Sequence, residues 1–148
     1  MRRFFAAVAL FAASHVALAD DIFVENTANL KPLLASVAKG ITDPATDYRD
    51  KPCRLVGKRI NLENAPAASD YFVTTAQGCG WGSAAGPVWL LHHTSDGYRE
   101  VLATGAAIVR IQSSTSRGMK DLVLMSGDAG GQTESRWQFD GKQYRKTK

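Results

Sequence analysis

Asp70-Tyr71-Phe72-Val73 follows Arg59-Ile60 at the same interval at which Asp121-Leu122-Val123-Leu124 follows Arg110-Ile111. Each of these segments leads through a glycine-rich stretch into an apolar segment that contains a tryptophan, and then into an Asp-Gly pair. The spacing at the tryptophan differs between the two copies, so the repeat is degenerate. Because internal repeats reflect a repeated structural unit, residues that match between the copies are expected first of all to support the fold.

The chain from residue 54 onward has the pattern of antiparallel β structure. Candidate strands bounded by turn residues lie near residues 54–62, 70–76, 87–93, 98–103, 106–112, 121–125, 135–139 and 142–146. The pairs Asp96-Gly97 and Asp140-Gly141 favour the positive φ angles of tight hairpin turns. We therefore predict a mainly β (α+β) fold, an open sheet or sandwich of two degenerate four-stranded meanders, repeat 1 at about 54–103 and repeat 2 at about 106–146.

One N-terminal helix is predicted at about residues 29–39. Apolar residues from Leu30 to Ala38 recur at the spacing of one helix face. Asn29 suits the start of a helix and Gly40 its end. We expect this helix to pack on a sheet face or to plug one end, and residues 41–52 to form a linking loop.

Residues 1–19 have the pattern of a signal peptide. Met1-Arg2-Arg3 precedes an apolar run that closes on Ala17-Leu18-Ala19, a small-x-small cleavage pattern. The competing interpretation is a membrane anchor, but the run is short for a span of about 20 residues. We predict one exported domain, residues 20–148, in the periplasm or secreted, with no stable membrane anchor.

Cys53 and Cys79 are the two cysteines of the chain. Oxidising compartments form and keep disulfides, so an exported chain with two cysteines is expected to bond them. The alternative is a nucleophilic Cys79 with a histidine as its base, which requires a free and activated thiol. A disulfide removes that possibility.

No catalytic, metal or cofactor site is predicted. His92 and His93 are neighbours in a predicted strand and therefore point to opposite faces, so they cannot chelate one metal ion in regular strand geometry. Ser83 lacks the flanking glycines of a nucleophile elbow, because Trp81 and Ala85 occupy those positions.

Asp70 and Asp121 occupy equivalent positions in the two repeats, each just before a predicted strand. A pair of carboxylates could act as general acid and base, but only if the fold brought them together in unequal environments. Aspartate also accepts backbone N–H bonds at turns. We expect both residues to be structural.

The two loops before these aspartates, Asn61-Leu62-Glu63-Asn64 and Ser116-Arg117-Gly118, resemble the FG-GAP and VCBS class of repeat. The resemblance covers residues 54–146 and implies small exported bacterial proteins built from β repeats. Loop carboxylates of that class often bind calcium. Here the alternating aspartates are missing, and calcium needs six to eight oxygen ligands, so calcium is not expected.

The candidate binding site is the glycine-rich loop that contains Trp81. Its predicted binding residues are Gly78, Gly80, Trp81, Gly82 and Ser83. Trp81 has no partner in the other repeat, and an exposed aromatic side chain on a stapled loop is typical of interfaces. The alternative is that Trp81 folds back over the sheet as a lid.

We expect a non-enzymatic binding protein, an inhibitor or immunity-type protein that acts on a cell-wall-targeting enzyme. The expected partner is another exported protein. The alternative is a cell-envelope accessory module that binds a glycan or surface polymer through Tyr71, Trp81 and Tyr98. The net charge of +4 is small and scattered, so no nucleic acid partner is expected. The oligomeric state is left open.

Overall fold

The computed structural model describes residues 20–128 and 130–148, and the predicted signal peptide lies outside them. The helix, α1, comprises Ala35–Ala38. The strands in chain order are β1 (Asp20–Phe23), β2 (Lys31–Pro32), β3 (Leu55–Ile60), β4 (Asp70–Thr75), β5 (Gly86–Thr94), β6 (Gly97–Ala106), β7 (Ile108–Ser116), β8 (Met119–Asp128), β9 (Gly131–Phe139) and β10 (Tyr144–Lys146).

These strands form two antiparallel sheets of five strands each. The first sheet has the order β2-β3-β4-β5-β6, and the second sheet has the order β1-β7-β8-β9-β10. Both are open, and strands β3 to β6 and β7 to β10 follow one another as the two predicted meanders. The predicted fold class is therefore confirmed, with one short N-terminal strand added to the edge of each meander.

The main hydrophobic core combines side chains of both sheets. Phe72 of β4 and Leu90 of β5 belong to one buried cluster with Leu122 and Leu124 of β8. These residues occupy alternate positions along their strands, as expected when one face of a sheet is buried. Burial of one such side chain stabilises the fold by about 1.5–3 kcal/mol, so the shared cluster holds the sheets together as a sandwich.

A second cluster covers the outer face of the first sheet. Val73, Trp89 and Leu91 are buried there against Val37 of α1, and Leu33 packs beside them. The helix thus lies on a sheet face, which is one of the two expected positions.

The helix is much shorter than the predicted span of 29–39. Lys31–Pro32 pairs with β3 instead, and the backbone N–H of Leu33 donates to Leu55 O. Leu34 is extended, and the helix begins only after it. The open edge of β3 offers backbone hydrogen bonds to this segment, and tertiary pairing of this kind overrides local helix propensity.

The two repeats differ in strand register, and this separates Asp70 from Asp121. Ile60 pairs with Asp70, whereas Ile111 pairs with Leu122 and not with Asp121. A shift of one residue turns a side chain to the opposite face of a sheet. Asp70 begins β4 as expected, but Asp121 lies inside β8, so the expected equivalence of the two aspartates is wrong.

Candidate functional site

The predicted disulfide is present and joins two loops at one end of the first sheet. Cys53 and Cys79 are bonded, with Cα atoms 5.7 Å apart. Residues 46–52, here called the Tyr48 loop, precede Cys53, and residues 78–86, here called the Trp81 loop, contain Cys79. The disulfide therefore places the two loops side by side.

The bases of the two loops are in direct contact at Gly80. Its φ angle is +72°, and a Cβ atom there would lie 3.2 Å from the carbonyl oxygen of Thr46 and 3.6 Å from Sγ of Cys53. A side chain at this position would be both strained and crowded. Glycine is thus required for the loops to approach this closely.

The indole of Trp81 is turned toward the protein. Its ring packs against the main core and covers Gly86, where a Cβ atom would overlap it. Its Nε1 donates to Oγ1 of Thr75 at 3.2 Å, and that hydroxyl donates to the carbonyl oxygen of Cys79 at 2.5 Å. The geometry is that of the lid, with the ring half-buried and its polar atom satisfied.

The other predicted binding residues remain at the surface. Gly78, Gly80, Gly82 and Ser83 are exposed, and Gly78 and Gly80 have positive φ angles. The end of the loop is hydrogen-bonded to the second sheet, because the backbone N–H of Gly127 donates to the carbonyl oxygen of Ala84. The Trp81 loop therefore presents mainly backbone atoms to a partner.

The most exposed aromatic side chain at this end belongs to the Tyr48 loop. Tyr48 is 86% exposed, and the guanidinium of Arg49 lies 5.0 Å from the centre of its ring. This stretch was predicted only as a linking loop, and Tyr48 was not among the predicted binding residues. The available signal was a tyrosine and an arginine in a turn close to a disulfide cysteine.

The Tyr48 loop is held in shape by its own hydrogen bonds. Oδ1 of Asp47 accepts from the backbone N–H groups of Arg49 and Lys51, at 2.8 and 2.9 Å. The backbone N–H of Asp47 donates to the carbonyl oxygen of Lys51 at 2.8 Å. Asp50 adopts a positive φ of 58°, which aspartate tolerates better than most residues. The turn is therefore ordered before it meets any partner.

A separate polar cluster surrounds Asp70, which is only 1% exposed. Its carboxylate accepts from the backbone N–H groups of Leu62 and His93, at 2.9 and 3.0 Å, and lies 2.8 Å from Nδ1 of His92. Nε2 of His92 faces Glu63 at 3.9 Å. Both ring nitrogens of His92 thus face carboxylates, and the cluster connects the β3–β4 loop to β5.

The two histidines point to opposite faces, as expected. His92 reaches Asp70 on the core side, and the ring of His93 contacts Tyr98 on the outer face, 5.1 Å between centroids. Within residues 20–128 and 130–148, no three His, Cys, Asp or Glu side chains are grouped so as to hold a metal ion. The same part of the chain has no helix of the length and hydropathy that a bilayer span requires.

The three aromatic residues of the glycan alternative are not all together. Tyr71 and Tyr98 meet edge to face on the outer side of the first sheet, with ring centroids 5.4 Å apart. Trp81 packs instead against the main core between the sheets. Only the two tyrosines can therefore act at one site.

No protein-family model matches the sequence, and neither a curated protein nor a solved structure matches the chain. The resemblance to FG-GAP and VCBS repeats stays a prediction.

Proposed function

We propose that this protein is a non-enzymatic binding protein of the periplasm or the extracellular space, an inhibitor or immunity-type protein that acts on a cell-wall-targeting enzyme. The single observation that carries the proposal is the Tyr48 loop, a hydrogen-bonded turn next to a disulfide with Tyr48 86% exposed at its tip. The disulfide supports export, because such bonds persist in oxidising compartments.

An ordered tip of this kind favours binding energetically. Tyrosine and arginine are enriched among the residues that dominate interface energies. Ordering a flexible loop on binding has a free-energy cost, and a loop that is already ordered avoids much of it. Tyr48 and Arg49 form the tip, and the exposed Gly80 of the Trp81 loop lies at its base beside Thr46. The proposed interface thus combines the new tip with the predicted glycine loop.

The chemistry of the tip fits the substrate cleft of a wall-degrading glycosidase. Such clefts bind sugar rings and contain two catalytic carboxyl groups. The Tyr48 ring can occupy a sugar position, and the planar guanidinium of Arg49 can pair with a carboxylate. A protruding loop of this composition would therefore block the cleft in place of the substrate.

Inhibition assays against a muramidase, an amidase and an endopeptidase test the proposal on purified peptidoglycan. The protein is expected to inhibit the muramidase. Tyr48→Ala should weaken this inhibition by about 2 kcal/mol or more, about thirtyfold. Its melting temperature should stay unchanged, because the side chain makes little contact with the fold. Lys39→Ala, another exposed position, is the matched control.

Trp81→Ala separates the two loops. Because its indole packs on the core, this variant should melt at a lower temperature while inhibiting with nearly unchanged affinity. Absence of inhibition of all three enzymes would contradict the proposal. Unaltered inhibition by Tyr48→Ala would remove the Tyr48 loop from it.

The alternative, a cell-envelope module that binds a glycan or surface polymer, has one observation in its favour. Tyr71 is held by the edge of Tyr98 on the outer face of the first sheet, beside a cleft that carries positive charge. Sedimentation with purified cell-wall polymer, abolished by Tyr71→Ala, would favour this alternative if the wild-type protein also inhibited none of the three enzymes.

A further inference from the structure

A cleft of about 340 Å³ lies at the β2 edge of the first sheet. It runs between the β2–α1 segment and the outer side of β3 and β4. The side chains that give it its character are Lys31, Leu34, Lys58, Arg59 and Tyr71. None of its lining residues belongs to the Tyr48 loop or to the Trp81 loop.

The cleft is positively charged and has no acidic residue in its lining. Among the ion pairs found within residues 20–128 and 130–148, none involves Lys31, Lys58 or Arg59. The side chain of Arg59 is hydrogen-bonded to Tyr71, and this bond raises the pKa of Arg59. Lys31 and Arg59 lie on the outer side of the sheet with Tyr71, because Lys31 pairs with Gly57 and Arg59 pairs with Tyr71. Lys58 pairs with Phe72 and begins on the opposite side, at the edge of the opening. Two cations therefore share one side of the opening.

The same cleft has an apolar component. Leu34 lines the opening and is 59% exposed, so it offers an aliphatic surface there. The Tyr71 ring lines the groove and is held edge to face by Tyr98, at 5.4 Å and 87°. Aromatic and aliphatic surfaces beside a few placed polar groups are typical of small-ligand sites.

The fold distinguishes between the ligand classes that could use two cations and an aromatic ring. An added peptide strand would need free backbone groups along β2, but β2 has two residues and one of them, Pro32, has no N–H. A nucleic acid strand would need a longer basic track with successive stacking rings. One sugar unit needs only one ring face and its anionic group needs only the local cations.

We propose that this cleft binds an anionic saccharide. The carboxylate or phosphate group lies between Lys31 and Arg59, and the apolar face of the sugar ring lies on Tyr71 and Leu34. Charge-assisted hydrogen bonds are roughly twice as strong as neutral ones, so the anionic group supplies most of the affinity. The site would hold the protein on an anionic envelope polymer while the Tyr48 loop remains free.

Titration with tetragalacturonate, followed by amide chemical shifts, tests the site. Neutral galactotetraose and inorganic phosphate are the comparison probes. We expect tetragalacturonate to bind about tenfold more tightly than either, since only it engages both the cations and the ring. The perturbed amides should cluster around Lys31 and Lys58.

Paired variants separate a built site from general charge attraction. Lys31→Gln/Arg59→Gln should weaken tetragalacturonate binding about tenfold, whereas Lys39→Gln/Lys142→Gln, which removes the same charge elsewhere, should change it less than about twofold. Tyr71→Leu should weaken binding at an unchanged salt dependence. Equal losses in the two double variants, phosphate binding as tight as the saccharide, or no binding at all would each overturn the proposal. Muramidase inhibition should be the same in all of these variants, so failure here is distinguishable from failure of the proposed function.

Discussion

Replacing Asp70 by Ala is expected to destabilise the protein far more than the same change at Asp121. Asp70 is 1% exposed, and its carboxylate accepts hydrogen bonds from the backbone N–H groups of Leu62 and His93. It also holds Nδ1 of His92 at 2.8 Å. Leu62 is itself fully buried, so water cannot replace the lost acceptor there.

The magnitude follows from the groups that lose their partner. A buried donor left unsatisfied costs about 1–3 kcal/mol. The Leu62 N–H incurs this cost in full, and the more accessible His93 N–H and His92 ring incur part of it. Asp70→Ala should therefore lower the free energy of unfolding by about 3 to 5 kcal/mol, a large share of a typical total of about 5–15 kcal/mol.

Asp121 provides the matched comparison. Its Oδ2 accepts from the hydroxyl of Ser114, which is exposed and can bond to water instead, and its Oδ1 is buried without a partner in the described part of the chain. Asp121→Ala removes an unsatisfied atom together with a weak bond. The change in unfolding free energy should be below about 1 kcal/mol.

Guanidinium unfolding followed by circular dichroism measures both variants, with equal m-values as the check that unfolding stays comparable. A loss in Asp70→Ala within about 1 kcal/mol of that in Asp121→Ala would refute the reasoning from register, because the two carboxylates would then be equivalent after all.

Three further predictions concern other parts of the fold. Replacing Cys53 and Cys79 by Ser should lower the free energy of unfolding by about 3 to 4 kcal/mol, because the bond closes a loop across a separation of 26 residues; alkylatable thiols in the unreduced wild-type protein would contradict it. Tyr144 should ionise above the ordinary range, since burial raises its pKa. Its contribution to stability is then complete below the unfolded pKa of about 10 and is lost as the pH rises further. The ultraviolet titration difference between wild type and Tyr144→Phe measures the pKa of Tyr144, and an ordinary tyrosine pKa would contradict the prediction. Gly86→Ala should displace the Trp81 indole, with a red-shifted fluorescence spectrum and a loss of about 1–3 kcal/mol, and an unshifted spectrum would show that the ring does not lie on Gly86.

The positions of the strands along the chain could be predicted from the sequence, because the signals that specify them are local. Alternating apolar residues and Asp-Gly turns act over a few residues, and the strands from Leu55–Ile60 to Tyr144–Lys146 all appear where those signals place them. The Cys53–Cys79 bond was predicted from the number of cysteines together with the expectation of export. The N-terminal segment did not follow, because Lys31–Pro32 meets the edge of β3, a neighbour distant in sequence that no local pattern reveals.

Only part of the candidate site could be predicted from the sequence. The glycine loop around Trp81 was identified, but the direction of its indole depends on the space above Gly86, which exists only once β4 and β5 are paired. Tyr48 was passed over because its surroundings are those of an ordinary turn. The base of its loop lies beside Gly80 because the disulfide brings the two loops together.

By itself, then, the sequence determined the mainly β fold, the two meanders and the disulfide, since hydrophobic period, turn chemistry and cysteine count are properties of short segments. Only the tertiary structure decided which face each functional side chain takes. Asp70 and Asp121 look alike in the repeat, yet a one-residue difference in register buries the first among backbone donors and turns the second to the opposite face of its own sheet. Pairing register depends on the neighbouring strand and on the loop that joins the two, and it therefore emerges only when both sheets are assembled.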